Sequence, residues 1–177
     1  MNHDRYDDSL IEGILHSVKT IAMVGASANP VRPSNFVLLY LVQKGFRVFP
    51  INPGQAGKTI GGQPCYARLA DVPEPIDMVD VFRASDAIPS VVADVLALDP
   101  LPKVLWLQLG VRNDAAIAPA EAAGIQVIQN RCPKIEYGRL SGEIRWSGVN
   151  SRRISARRPV PMAGIQRLGL APDAKKA

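Results

Sequence analysis

Short, continuous apolar runs that alternate with helix-patterned segments constrain this chain more than any other feature. The runs are Thr20-Ile21-Ala22-Met23-Val24, Phe46-Arg47-Val48-Phe49-Pro50-Ile51, Asp77-Met78-Val79-Asp80-Val81-Phe82, Lys103 to Leu109 and Ile125 to Ile128. Runs of this length, apolar on both faces, suit strands buried in a parallel sheet. Between them lie helical stretches. Leu10, Ile11, Ile14, Leu15 and Val18 repeat at helical spacing behind Asp7, Asp8 and Ser9, and that helix ends near His16–Ser17. Ser34 to Lys44 closes on Gly45, a natural C-terminal stop. After Ser85, the set Ile88, Val91, Val92, Val95 and Leu96 follows the i, i+3, i+4, i+7, i+8 pattern. Asn113/Asp114 opens a helix towards Ala123–Gly124, with Pro119 set to kink it or delay its start, and Cys132 to Tyr137 begins a last one. Strands alternating with helices call for right-handed βαβ units. The expectation is an α/β fold: a Rossmann-like, doubly wound, mostly parallel five-stranded sheet with helices on both faces.

The Gly- and Pro-rich segment 55–75 holds a short element at Thr59–Ile60 and one helical turn at Ala67–Asp71. Periodicity fades beyond Gly142. Residues 1–142 therefore read as one domain and 143–177 as a basic, extended or disordered arm. The overall charge of +5 belongs to that arm: residues 1–149 carry 14 basic against 15 acidic residues, and residues 150–177 carry seven against one. A domain so nearly neutral does not present a nucleic-acid-binding face. No apolar run approaches the ~20 residues that span a bilayer, and the start of the chain is acidic and polar, unlike a signal peptide. A cytoplasmic location is the expectation.

In an open α/β sheet, ligands bind at the carboxyl ends of the strands, where strand order reverses. The first strand delivers Gly25-Ala26-Ser27, then Arg32 and Ser34; the second Asn52-Pro53; the third Phe82-Arg83; the fourth Gln108 and Gly110; the fifth Asn130 and Cys132. A small-residue turn opening onto a helix presents N–H groups and a favourable dipole to a phosphate. Ser27 and Ser34 add hydroxyls and Arg32 a charge. This is not the dinucleotide fingerprint: Gly25 stands where three glycines are needed, and Asn52 replaces the acid that holds a ribose hydroxyl. NAD is disfavoured and phosphate is retained. The only histidines, His3 and His16, precede the first strand, and no carboxylate pair follows any strand, so proton-transfer machinery is not evident. Plainer readings stay open. Gly25-Ala26-Ser27 can be a tight turn, Arg83 a solvated arginine, Trp106 core, Asn130 a helix cap, and Cys132 either a packing residue or a thiol activated by a helix N-terminus.

Six stretches in order resemble the CoA-binding domain family, whose fold is similar to the nucleotide-binding domain of the succinyl-CoA synthetase α subunit. They are Val24-Gly25-Ala26-Ser27, Val48 to Pro53, Gly61-Gly62-Gln63-Pro64-Cys65-Tyr66, Asp77 to Arg83, Leu105 to Gly110 and Asn130 to Glu136. The resemblance implies coenzyme A, free or acylated, across the carboxyl edge of the sheet. It implies phosphates at Gly25, Ala26 and Ser27, the adenosine end by Asn52, Pro53, Phe82 and Arg83, and pantetheine towards Asn130 and Cys132. The synthetase's phosphorylated histidine lies in a following domain, whereas both histidines here lie upstream, so ligase activity is not carried over. The leading expectation is a small CoA-binding protein, its partner a small molecule, with a protein partner or homo-oligomer left open. The alternatives are a nucleotide-dependent oxidoreductase, a Cys132-based acyl-transfer enzyme, or an interaction module that docks through the basic tail.

Overall fold

The computed structural model describes residues 2–141 of the chain. The basic arm, 143–177, lies outside the described residues. Five parallel strands form the central sheet: β1 (Thr20–Val24), β2 (Arg47–Ile51), β5 (Met78–Val81), β6 (Val104–Leu107) and β7 (Gln126–Ile128). Between β2 and β5, β3 (Thr59–Ile60) and β4 (Gln63–Pro64) make a separate two-stranded antiparallel hairpin. The order across the large sheet is β2-β1-β5-β6-β7, so the winding reverses between β1 and β5. Every pairing within it is parallel. This is the doubly wound arrangement expected from the alternating runs.

Each face of the sheet has its own core. On one, α1 (Asp8–Ser17), α2 (Pro33–Gln43) and α5 (Pro133–Ser141) cover Ile21, Met23, Met78, Trp106 and Ile128. On the other, α3 (Ile88–Leu96) and α4 (Asp114–Ala122) cover Ala22, Val79, Val81, Leu105 and Val127. Residues alternate between the two sets along each strand, the period of two that pleated backbone imposes. Both sets are apolar because both faces are covered, which is why the strands read as unbroken apolar runs.

The turn expected at Ala67–Asp71 is a 3-10 turn at Leu69–Asp71, closed by Asp71 accepting from the Arg68 N–H. Pro119 does not delay its helix. Asn113 caps α4, its Oδ1 accepting from Ala116 N at 3.0 Å, and the proline ring lies on the exposed side. Pro50 is tolerated in β2 because β2 is the edge strand. The segment after β4 then runs beside that edge. Tyr66 N donates to Pro50 O and Asn52 N donates to Tyr66 O, both at 2.9 Å.

One residue breaks the apolar rule. Asp80, in the middle of β5, is fully buried on the α1/α2/α5 face between Met23 and Trp106. Its Oδ1 accepts from Gln108 Nε2 at 2.8 Å, and its Oδ2 has no hydrogen-bond partner among the described residues. Burial makes the carboxyl a weaker acid, its pKa pushed up to about 7, against the opposing effect of the Gln108 bond.

Candidate functional site

The site grows from the end of β1. Gly25 adopts φ +82°, and its N–H donates to Ile51 O at 3.0 Å while Phe82 N donates to Val24 O at 2.8 Å. A Cβ at position 25 would collide with the Phe82 carbonyl oxygen and stand 3.2 Å from Arg83 Cδ. Glycine is therefore required twice, by the left-handed backbone and by the closeness of β1 to β5 at the winding reversal. Beyond it, two side-chain amides turn the loop. Asn52 Nδ2 donates to Ala26 O at 2.7 Å and Asn35 Nδ2 donates to Ser27 O at 2.9 Å. With these carbonyls held by the protein, the N–H groups of Ala26, Ser27 and Ala28 have no hydrogen-bond partner among the described residues. The loop then climbs to the N-terminus of α2, where Pro33 opens the helix and Arg32 precedes it. Unbonded N–H groups in a turn that leads to a helix N-terminus are the donors from which anion-binding cradles are built.

Two cavities flank this turn. The first, about 460 Å³, lies towards α3 and is lined by Gly25, Ala26, Ser27, Asn52, Pro53, Phe82 and Arg83, with Arg68, Ser90 and Asp94 on its outer wall. The second, about 530 Å³, lies on the α2/α5 face. Its wall includes Phe36, Val37, Gln108, Leu109, Cys132 and Ile135. Phe82 and Arg83 border both. The Arg83 side chain is exposed and has no ion-pair partner among the described residues, as is true of Arg32. The two cavities thus adjoin at the end of β5, over the carboxyl edge of the sheet.

The sequence-chosen residues divide accordingly. Gly25, Ala26, Ser27, Asn52, Pro53, Phe82 and Arg83 converge on the first cavity; Gln108 and Cys132 line the second together with Phe82 and Arg83. Arg32, Ser34, Gly110 and Asn130 line neither: Ser34 is buried in the first turn of α2, and Arg32 is exposed just before it. Asn130 does not cap α5. It takes φ +54°, and its Oδ1 accepts from Gly110 N at 2.8 Å, so the pair ties the loop after β7 to the loop after β6. Trp106 is core, its indole N–H donating to Arg131 O at 2.8 Å. Asn52 contributes structure to the turn, since its Oδ1 also accepts from Gly54 N.

Cys132 sits just before α5, but the helix does not activate it. Burial pushes its thiol up, and nearby Asp80 adds to that, outweighing the Ile135 and Lys134 N–H groups that would pull it down. Burial likewise raises Cys65. Asp80 is the residue that sequence reasoning passed over; its signal was a charge inside an otherwise apolar strand, Met78-Val79-Asp80-Val81. Phe36, Leu109 and Ile135 were passed over too. They read as ordinary apolar positions until folding leaves them exposed at 54%, 56% and 44% around one trough.

A parallel sheet whose winding reverses between β1 and β5, with a glycine at that reversal, defines a Rossmann-like α/β fold. The model of the CoA-binding domain matches residues 19–138, and the chain belongs to that family. It is 34% identical over 127 residues to the uncharacterized protein YneT of Bacillus subtilis (strain 168), covering 72% of this chain and 91% of that protein. The solved structure of cell-free ID.343 from Thermus thermophilus is 38% identical, with a TM-score of 0.71, over 76% of this chain and 98% of that one. A dinucleotide-forming acetyl-coenzyme A synthetase of Ca. Korarchaeum cryptofilum, solved with phosphate and ADP, is 26% identical with a TM-score of 0.52. It aligns with 62% of this chain but only 25% of its own length.

Proposed function

We propose that this protein binds coenzyme A or one of its thioesters in the groove across the carboxyl edge of the sheet, without catalysing a reaction on it. The observation that carries this reading is the turn Ala26-Ser27-Ala28, with its unbonded N–H groups at the winding reversal, whose Ala26 and Ser27 line a cavity that shares Phe82 and Arg83 with a second one. In this reading the diphosphate lies on the three N–H groups and at the α2 N-terminus. The adenosine end occupies the 460 Å³ cavity beside Asn52 and Pro53, and Arg83 meets a phosphate. The pantetheine arm crosses Phe82 into the second cavity. Family membership supports CoA as the nucleotide. A binding role rather than acyl transfer through Cys132 is supported by that thiol's upward shift, which keeps it protonated at neutral pH.

Thermal melting in the presence of CoA or NAD tests this. Ligand at one hundred times Kd stabilises the native state by about 2.7 kcal/mol, roughly 5–10 °C for a chain of this size. CoA should give that shift and NAD none; equal shifts, or none with either, refute the reading. Arg83→Glu should weaken CoA binding about tenfold or more, as charge reversal against a phosphate requires. Unchanged affinity would remove Arg83 from the site.

A further inference from the structure

Six large apolar side chains among the described residues are strongly exposed, and their distribution is uneven. Leu101 stands elsewhere and Val31 and Leu39 lie outside the cavity walls, whereas Phe36 of α2 shares one cavity with Leu109 of the loop after β6 and Ile135 of α5. Phe36, Leu109 and Ile135 rim the second cavity, whose walls also include Pro33, Val37 and Val111. An apolar surface of this kind, gathered around a concavity, marks a place where something apolar binds. The few polar groups there do not suit a polar occupant. The amide N–H of Gln108 is turned into the core, bonded to Asp80, and the Cys132 thiol is buried. Arg83 and Lys134 stand exposed at the rim.

This trough adjoins the cavity that Ala26 and Ser27 line, because Phe82 and Arg83 border both. A pantetheine arm ends in sulfur and carries two amides; its reach from the cradle leads along the trough, and its own chemistry leaves the apolar rim uncovered. Resting on the CoA reading above, we infer that the trough is an acyl-chain subsite and that the ligand class is a CoA thioester bearing a linear apolar acyl group, with free CoA the weaker ligand. The thioester is held and not attacked, since the thiol beside it stays protonated and no bond is made or broken.

Titration calorimetry on the full chain with CoA, acetyl-CoA, butyryl-CoA and octanoyl-CoA reads this out. Full burial of a methylene is worth about fourfold in affinity; half-burial in an open trough is worth about twofold. Octanoyl-CoA, with six more methylenes than acetyl-CoA, should bind roughly 60-fold tighter, with butyryl-CoA between. The double variant Phe36→Ser/Ile135→Ser replaces two exposed side chains and leaves both cores untouched. It should reduce the octanoyl-to-acetyl ratio to about fivefold or less. Equal affinity for all four ligands overturns the acyl subsite while leaving CoA binding intact. A chain-length preference that survives in the double variant also overturns it, because the preference would then not come from this rim. Binding of none of the four refutes the CoA reading itself.

Discussion

The two cavities on either side of Phe82 are built from different materials. The one towards α3 has a wall built of backbone: a left-handed glycine, the free N–H groups of Ala26 and Ser27, and carbonyls fixed by Asn52 and Asn35. The one towards α5 is shaped by side chains, with an apolar rim and a floor where Gln108 is pinned by a buried carboxyl. Backbone donors recognise what every nucleotide shares, its phosphates. Side chains of particular size and polarity recognise what differs between ligands. On the proposed reading, affinity for the nucleotide half and discrimination of the other half are separately encoded, and variants should break the two separately.

The largest expected effect comes from Gly25→Ala. A methyl there meets the Phe82 carbonyl and must accept a left-handed backbone, so stability should fall by about 3–4 kcal/mol and the cradle should close. Urea unfolding measures the first and CoA titration the second. A variant that keeps native stability would show that the backbone-built side has more room than its geometry implies.

Asp80→Asn sharpens the other side. The folded-state pKa of Asp80 is raised to about 7 against roughly 3.9 in an unfolded chain, so the carboxyl favours folding only while protonated. Its stabilising contribution is complete below about pH 4 and is lost as pH rises through 7. Asparagine carries no such charge. The stability of Asp80→Asn relative to wild type should therefore grow by about 2–3 kcal/mol between pH 5 and pH 8, read by urea unfolding at each pH. A difference that stays flat across that window would mean the carboxyl is solvated or paired. Asp77, three residues earlier, provides the contrast. Burial pushes it up too, but Lys103 and the N–H groups of Lys19 and Thr20 override that and hold it below the usual carboxylate range. Its contribution is present at neutral pH and is lost on acidification.

Asn52→Ala should have the smallest effect. It removes the bonds to Ala26 O and from Gly54 N, costing about 1–2 kcal/mol, and frees the cradle to change shape. CoA affinity should fall about tenfold while the acyl-chain ratio stays constant. A ratio that changes with it would show that the two cavities do not act separately.

Much of this was legible in the chain. The alternating apolar runs give the strands, and small residues after them mark the carboxyl edge, because burial on both faces and tight βα turns leave local signatures. The missing glycines and acid that disfavour the dinucleotide fingerprint are local as well. Gln108 and Cys132 were chosen for the right edge, but nothing local said that Gln108 would face Asp80 or that Cys132 would be buried.

Strand and helix periods and turn chemistry act over a few positions, so the order of elements and the residues at each strand end can be read along the chain. Tertiary structure alone decided which of those residues meet. Pairing β1 with the distant β5, on the side away from its sequence neighbour β2, brings Phe82 against Gly25, and the residues at the end of β5 border both cavities. Packing of α2 and α5 on one face leaves Phe36 and Ile135, 99 positions apart, around a single trough. Such contacts depend on the path of the whole chain, and no window of sequence carries them.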